Sequence, residues 1–369
     1  MRDGDLRAGL MSISDIQGPL PPVAPKEKKL LFTGLLKNVS RAFYLSLRVL
    51  PKDLRGPVGL AYLLARAGDT IADTRLLPPE ERLRHLLEFR RQVDGPASIA
   101  GLRSISDTLT DRQSIPAERE LLQALPGAFA VLEAMDEPDR RLVRSIVVKL
   151  TQGMEMDLET FPPEESGRVV ALKDRDQLDE YVYLVAGCVG EFWTSMTMRH
   201  TASLSHWDEI EMSALGASFG KALQMTNVLR DVPRDLRIGR CYLPQSDLDE
   251  LGLSPEDLLE ATSAPMARPA LVRGIQTALE HYRRAEEYIV ALPRRNMRLR
   301  LATLWPVLIG LATLSIVAKD ESWLDPDRTS RVGRIWVYRM MAKSLLIVHS
   351  NFAIRRWIGG LRSDVERAL

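Results

Sequence analysis

The sequence contains few of the residues that build disulfide scaffolds or zinc sites. Among its 369 residues there are two cysteines, Cys188 and Cys241, and neither belongs to a paired motif. The five histidines form no pair at the spacing of metal ligands. A disulfide framework or a zinc ribbon is therefore not expected, and a reducing, cytoplasmic location is predicted.

The chain also lacks an excess of charge of either sign. Fifty Lys and Arg stand against 49 Asp and Glu, which gives a formal net charge of +1. Nucleic-acid-binding proteins usually carry a basic excess or a basic stripe, so no nucleic-acid partner is expected. Strand-like alternation is almost absent, and no glycine-rich phosphate loop follows a strand. A nucleotide-binding α/β fold is therefore not predicted.

Helical periodicity runs from Lys29 to the C-terminus. Residues 1–27 are predicted to form a proline-rich tail, because proline lacks the amide and restricts the residue before it. Residues 28–369 are predicted to form a single all-α domain. Helices are predicted, many of them bounded by proline or glycine, over 28–50, 53–74, 79–92, 116–134, 137–160, 176–199, 208–236, 247–262, 267–290, 296–319 and 331–358.

Two apolar segments raise the question of a membrane. Leu301–Ala318 is 18 residues long without a charge, which is the lower edge of a spanning length. Because it contains Pro306 and Gly310, a buried core helix is expected there. The segment at about 331–362 interleaves cations with large apolar residues. It is interpreted either as a helix in peripheral contact with a membrane or as a core helix with a solvated basic face.

One predicted helix carries two acidic residues a turn apart on a polar stripe. At about 100° per residue, its four polar members fall within about 60° of one another. The other sides of this helix are strongly apolar, so the carboxylates are expected to face a polar cavity or a metal ion. The members of this first stripe are Tyr62, Arg66, Asp69 and Asp73.

A second predicted helix repeats the pattern. Its polar members fall within about 80° of one another by the same geometry. Like charges one turn apart repel, so this arrangement costs free energy unless a cation compensates. The members of this second stripe are Gln224, Asn227, Asp231 and Asp235.

The chemistry of both stripes points to magnesium and phosphate. Carboxylate oxygens without His or Cys suit a hard cation such as Mg²⁺. Mg²⁺ usually takes one or two carboxylates and completes its shell with water and phosphate oxygens. Guanidinium groups near the stripes are suited to bind phosphate oxygens directly, namely Arg66, Arg230, Arg237 and Arg240.

The order of these motifs resembles that of the squalene/phytoene synthases, which join prenyl diphosphates head-to-head. The resemblance runs from about residue 30 to at least residue 320. The two stripes resemble the two aspartate-rich motifs of the family. Four further segments resemble motifs of the family: Ser40–Phe43, Gly153–Leu158, Asp179–Gly190 and Gly239–Pro244.

The resemblance implies an isoprenoid-synthase helical bundle around a central cavity, with the aspartate motifs facing each other. It implies a prenyltransferase that joins two prenyl diphosphate molecules through a cyclopropylcarbinyl diphosphate. Magnesium ions assist departure of the diphosphate. On the resemblance, the Mg²⁺ ligands are Asp69, Asp73, Asp231 and Asp235.

The resemblance also implies roles for other side chains. Tyr181 steers proton loss after carbon–carbon bond formation, and Arg66 and Tyr62 join it as catalytic residues. Tyr242 is expected to be structural, and Pro233 is expected to kink the helix before Asp235. For Gly187 and Gly190, close helix packing is the alternative to making room for the substrate. The substrate-binding candidates are Ser40, Arg41, Arg230, Gln224, Asn227, Gly187 and Gly190.

Within the family, Asp69-Thr70 resembles squalene synthases more than the Asp-Asp start of phytoene synthases. A squalene synthase acting on farnesyl diphosphate with NADPH is therefore favoured, and the cofactor candidates are Asn227, Arg331 and Arg334. The alternative is a dehydrosqualene or phytoene synthase without hydride transfer. A non-catalytic assembly factor of the same fold would be expected to have lost the aspartates, which are present here.

Overall fold

The computed structural model describes residues 20, 22–40, 47, 50–74, 76–328 and 330–369, without the side chains of Glu27 and Ser40. The regular secondary structure of these residues is helical apart from one pair of two-residue strands, which confirms the all-α prediction. The described residues form two compact units. The predicted single-domain organisation stays a prediction.

The first unit takes in the described residues up to 40 and those of 59–151. Its core is built from aliphatic and aromatic side chains such as Leu63, Leu64, Phe89 and Phe129. The rings of Phe89 and Phe129 meet edge to face, with centroids 5.8 Å apart. Its elements are α1 (Pro25–Leu30), a π-helical turn (Leu31–Leu35), α2 (Leu36–Ser40), most of α3 (Lys52–Ala72), α4 (Pro79–Asp94), α5 (Ile99–Thr110), α6 (Pro116–Gln123), α7 (Leu125–Glu133) and the first part of α8 (Glu137–Thr160).

The second unit takes in the described residues of 42–58 and 152–369. Its central helix, α11, packs against α10, α13 and α14. After the end of α8 its elements are β1 (Val170–Ala171), α9 (Arg175–Val182), a π-helical turn (Tyr183–Gly187), α10 (Cys188–His200), α11 (Glu209–Leu236), β2 (Arg240–Cys241), α12 (Gln245–Asp249), α13 (Ala264–Ala291), α14 (Met297–Lys319), α15 (Arg334–Ile347) and α16 (Asn351–Glu366). Short 3₁₀ turns cover Glu164–Ser166, Ala202–Leu204, Glu256–Leu259 and Ala261–Ser263.

One helix is absent from the sequence prediction. Helix α5 covers Ile99–Thr110, a stretch with Gly, Ser and Thr residues of modest helix propensity. The Ser98 side chain caps the helix by accepting a hydrogen bond from the Gly101 amide at 3.1 Å. Burial of Leu102, Ile105 and Leu109 then supplies the packing that propensity lacks.

Three predicted helices are interrupted, so those predictions were wrong in their bounds. The segment 247–262 is broken because Gly252 adopts a left-handed φ of 67° after α12. The segment 331–358 is broken after α15, and Ser350 caps α16 by accepting from the Ala353 amide at 3.2 Å. The segment 116–134 divides at Ala124, where Pro126 lies in the first turn of α7.

Pro233 does not break α11. The helix continues to Leu236, and the Pro233 side chain is buried. A proline removes a single backbone hydrogen bond, and this one lies in the last turn of a 28-residue helix. The helix is therefore not interrupted before Asp235, where a kink was expected.

Helix α14 contains the uncharged run of the sequence. Of the helices in the described residues, this one is long and apolar enough to cross a membrane by length and composition. However, 83% of its most apolar window is buried inside the protein. This burial agrees with the expected core helix.

Candidate active site

The second unit encloses an apolar cavity of about 290 Å³. Its walls come from α10, α11 and α14, together with the π-helical turn before α10. Apart from two amides and two hydroxyls, the side chains around it are apolar. The lining residues are Leu47, Leu50, Val58, Val185, Ala186, Val189, Gly190, Phe192, Trp193, Gly216, Phe219, Gly220, Leu223, Gln224, Asn227, Tyr288, Ala302, Thr303 and Pro306.

The polar stripe predicted on α11 continues from this cavity. Gln224 and Asn227 line the cavity, and the Asn227 amide donates to Gln224 Oε1 at 3.3 Å. Asp231 follows Asn227 on the same helix face, about 6 Å further along the axis, and Asp235 lies one turn beyond it. A cavity for an apolar chain therefore leads along one helix face to a pair of carboxylates.

The two carboxylates of α11 have different partners. Arg230 holds Asp231 with two hydrogen bonds, one of them from Nε to Oδ1 at 2.9 Å. Burial, followed by the neighbouring Asp231 carboxylate, raises the pKa of Asp235 to about 7. Arg240 and Arg234 offset only part of this shift. The ionised form of Asp235 is therefore not fully stabilised by its cationic neighbours.

This incomplete stabilisation fits the donor chemistry of a magnesium site. Within the described ranges, no three or more His, Cys, Asp or Glu side chains come together as a metal-binding group. Mg²⁺ does not need such a group, because it usually takes one or two carboxylates plus water and phosphate oxygens. The Asp231 and Asp235 pair supplies that number, and a bound cation would lower the pKa of Asp235.

A second polar cluster surrounds Tyr181. Its ring stacks on Tyr242, with centroids 4.7 Å apart. The Tyr242 hydroxyl donates to Asp157 Oδ1 at 2.5 Å, and Arg240 pairs with Asp157 Oδ2 at 2.7 Å. Burial, followed by the Asp157 and Asp235 carboxylates, raises the pKa of Tyr181 above its usual value. The Tyr181 phenol therefore keeps its proton at neutral pH.

The chain positions this cluster through a tight turn after α11. Gly239 has a φ of 83°, in the left-handed region that favours glycine. The turn allows β2 to pair in parallel with β1, with Arg240 opposite Val170. The sequence predicted only a structural role for Tyr242 and did not identify Asp157 as a site residue. The signal for Asp157 was its place in the Gly153–Leu158 motif.

The first stripe lies in the first unit, on α3. The Arg66 guanidinium binds both Asp69 and Glu118. Burial lowers the pKa of Arg66, but these two carboxylates outweigh it and the net shift is upward. The Tyr62 hydroxyl donates to the Val39 carbonyl at 3.3 Å.

The fourth member of that stripe, Asp73, is exposed at the end of α3. Glu118, in contrast, is buried on α6 and was not predicted. No motif marks it, and 52 positions of sequence separate it from Arg66.

The glycines of the predicted substrate site lie where helices cross. A Cβ at Gly190 would overlap the Gly216 carbonyl, so α10 and α11 touch backbone to backbone. Gly190 also lines the cavity, whereas Gly187 packs against Tyr183 and Lys221 and does not line it. Close packing describes both glycines, and Gly190 adds room for a ligand.

Other predicted residues are placed elsewhere or are not described. Arg41 and the Ser40 side chain lie outside the described residues. Arg331 and Arg334 are exposed, and neither lines the cavity that Asn227 lines. The NADPH role of these three candidates therefore stays a prediction, and no step through NADPH is derived from them.

Comparison with known proteins identifies the family. The sequence profile described as squalene/phytoene synthase matches residues 36–335. A presqualene diphosphate synthase of Sinorhizobium fredii is 28% identical over 257 residues, which cover 70% of this chain and 77% of that protein. A bifunctional lycopene cyclase/phytoene synthase of Colletotrichum graminicola is 27% identical over 265 residues, 70% of this chain. The chain spans only 41% of the length of that bifunctional relative.

Solved structures share the fold. A ligand complex of TcSQS aligns with a TM-score of 0.69 and 20% identity, covering 93% of this chain and 98% of that one. Squalene synthase HpnC from Alicyclobacillus acidocaldarius aligns with a TM-score of 0.55 and 17% identity, covering 86% and 97%. Since the family profile matches most of the sequence, the chain belongs to the squalene/phytoene synthase family.

Proposed function

We propose that this protein joins two molecules of farnesyl diphosphate head-to-head and reduces the resulting presqualene diphosphate to squalene with NADPH. The observation that carries the condensation is the course of α11. One face of this helix lines an apolar cavity up to Gln224 and Asn227 and then presents Asp231 and Asp235. A prenyl diphosphate has the same division, with an apolar chain at one end and a charged head at the other.

The carboxylates of both stripes are proposed to hold magnesium, Asp231 and Asp235 in one unit and Asp69 and Asp73 in the other. Bound Mg²⁺ neutralises the charge of a leaving diphosphate. Arg230 and Arg66 lie beside these carboxylates and, with Arg41, are proposed to bind phosphate oxygens.

The cavity side chains are proposed to protect a carbocation from water. Residues such as Trp193, Phe219 and Leu223 present apolar surface to the substrate chain. Water reaching an allylic cation would give an alcohol, so a dry cavity favours attack by the second prenyl double bond. Gln224 and Asn227 then orient the head of the chain at the polar end.

Tyr181 is proposed to steer proton loss after the new carbon–carbon bond has formed. Its phenol stays protonated, so the oxygen offers both a donor and an acceptor at a fixed place. Stacking on Tyr242, which Asp157 and Arg240 hold in turn, fixes the ring. Asp157, Arg240 and Tyr242 are therefore positioning residues for Tyr181.

A second candidate function stops before reduction. The relatives include a presqualene diphosphate synthase and phytoene synthases, whose names include no reduction step. In that case the product is presqualene diphosphate, dehydrosqualene or phytoene. The cytoplasmic location inferred from cysteine usage stays a proposal in either case.

Product identification separates these functions. The purified protein is incubated with farnesyl diphosphate and Mg²⁺, with and without NADPH, and the products are identified by mass spectrometry. We expect squalene only when NADPH is present. Presqualene diphosphate or dehydrosqualene as the product in both reactions would contradict squalene synthesis and support the second candidate. A C40 product formed only when geranylgeranyl diphosphate replaces farnesyl diphosphate would do the same.

A further inference from the structure

Helix α15 is apolar on two opposite sides. Its inner side packs on α14, where Trp305 Nε1 donates to the buried Ser344 hydroxyl at 2.8 Å. Its outer side carries large apolar residues that are exposed: Ile335 is 70% exposed, Tyr338 68%, Leu345 54% and Leu346 75%. A surface helix of a water-soluble protein normally presents polar residues there.

The outer residues form one continuous strip. At 100° per residue, Ile335, Tyr338, Leu345 and Leu346 lie within an arc of about 100°. Cations border this arc on both sides, with Arg334 on one edge and Arg339 and Lys343 on the other. The strip therefore has an apolar centre and a basic margin.

The strip continues onto the next helix. Phe352, in the first turn of α16, is 75% exposed and lines a surface groove together with Lys343 and Arg356. The side chains of Ile335, Tyr338, Leu345, Leu346 and Phe352 are called the α15 strip below.

The segment that contains the α15 strip carries charge of one sign. Residues 331–356 contain no Asp or Glu, and their six cations are Arg331, Arg334, Arg339, Lys343, Arg355 and Arg356. Arg355 forms an ion pair with Glu286 at 3.3 Å. The groove beside Phe352 also contains Asp364, which pairs with Arg367. The segment itself is basic, although the whole chain carries +1.

An exposed apolar residue elsewhere has different surroundings. Ile210 is 85% exposed at the start of α11, but it lies alone between Glu209 and Glu211. Single exposed apolar residues are ordinary on a protein surface, whereas a contiguous strip marks an interaction site. Ile210 is thus a natural control for the α15 strip.

We propose that the α15 strip binds the surface of anionic phospholipid membranes. Helix α15 would lie in the plane of the interface, with its outer apolar side chains among the acyl chains and its cations at the phosphate level. Anionic lipid is chosen as the partner because the charged side chains that border the strip on α15 are all basic. The inner side of α15 stays packed on α14, so docking requires no unfolding.

The test is binding to lipid vesicles in the absence of substrate, which keeps it independent of the proposed reaction. The full-length protein is centrifuged with vesicles of phosphatidylcholine alone or of phosphatidylcholine mixed with phosphatidylglycerol. We expect binding to the mixed vesicles only, and weaker binding as salt is raised. Equal binding to both vesicle types, or none to either, would overturn the proposal.

Two variants locate the surface. Ile335→Ser combined with Leu346→Ser removes exposed side chains, so the fold is expected to stay intact and binding to weaken by about tenfold or more. Arg339→Gln removes one cation and is expected to weaken binding about fivefold. The controls, Ile210→Ser and Arg298→Gln, change exposed residues outside the strip and are expected to bind as the wild type does.

Circular dichroism and the thermal midpoint check that each variant is folded. Undiminished binding by the folded Ile335→Ser and Leu346→Ser double variant would show that another surface binds the vesicles. Light scattering of the wild type tests a second copy of the chain as the occupant. A stable dimer that the double variant abolishes, without vesicle binding, would also overturn the proposal.

Discussion

At the scale of single residues, the site depends on a partly buried carboxylate whose cationic neighbours do not offset its burial. That carboxylate is Asp235, because burial and Asp231 raise its pKa to about 7 from an ordinary value of 3.8. Asp157, by contrast, is satisfied by Tyr242 and Arg240. We infer that the first carboxylate is kept ready for a cation, whereas the second positions neighbouring side chains.

The Asp235 shift predicts how stability depends on pH and magnesium. A carboxylate with a raised pKa contributes stability below pH 4, and this contribution is lost as the pH rises through about 7. Without Mg²⁺, Asp235→Asn should therefore be more stable than the wild type at pH 8, by about 1–3 kcal/mol. The difference should shrink towards pH 4.

Chemical denaturation at several pH values measures this difference. Added Mg²⁺ should stabilise the wild type at pH 8 more than it stabilises Asp235→Asn, which keeps the carboxylates of the first stripe. A wild type that is equally stable with and without Mg²⁺ would count against the proposed metal role of Asp235.

Tyr242→Phe tests the positioning of Tyr181. The change removes the hydrogen bond to the partly buried Asp157, so the free energy of unfolding should fall by about 1–3 kcal/mol. The turnover number should fall about tenfold while KM changes little, because the Tyr181 ring loses its fixed support. Tyr183→Phe is the matched control, since its hydroxyl donates to Glu191 at 2.9 Å outside this cluster. Equal effects on turnover in both variants would contradict the assignment.

At the scale of secondary-structure elements, the contact of α10 with α11 shapes the cavity. Gly190 and Gly216 let the two backbones touch, and both glycines line the cavity. The sequence pattern could predict both helices and the polar face of α11. Close helix packing was one of two alternatives for Gly190. The sequence could not identify Gly216 as its partner, because that contact arises from tertiary packing.

Gly190→Ala should disturb this crossing. Its Cβ would overlap the Gly216 carbonyl, which is backbone and cannot move aside, so the unfolding free energy should fall by about 1–3 kcal/mol or more. Gly360→Ala in α16 has no neighbour near its Cβ and should be neutral or stabilising by up to about 1 kcal/mol. Denaturant titration of both variants measures the contrast. A Gly190→Ala protein as stable as the wild type would show that the helices are not in close contact.

At the scale of the whole molecule, the sequence predicts features that depend on local spacing but not contacts between residues far apart in the chain. The helical class and both aspartate stripes follow from spacing within a few turns, so the sequence could predict them. Glu118 binds Arg66 across 52 positions, and Tyr242 binds Asp157 across 85. Such pairs arise from tertiary packing, for which one sequence contains no local signal.

The breaks in the predicted helices have a similar cause. The boundary between α15 and α16 and the end of α12 depend on single capping residues, Ser350 and Gly252. Apolar periodicity continues across both places in the sequence. The apolar periodicity therefore predicted longer helices than the chain forms.

The central claim is that prenyl diphosphates are condensed beside the carboxylates of α11. The most direct measurement is the rate of C30 product formation from farnesyl diphosphate and Mg²⁺ by the wild type, by Asp231→Asn and by Glu211→Gln, an exposed acid on the same helix. We expect Asp231→Asn to be slower by about a hundredfold or more and Glu211→Gln to match the wild type. A folded Asp231→Asn protein that forms product at the wild-type rate would contradict the claim.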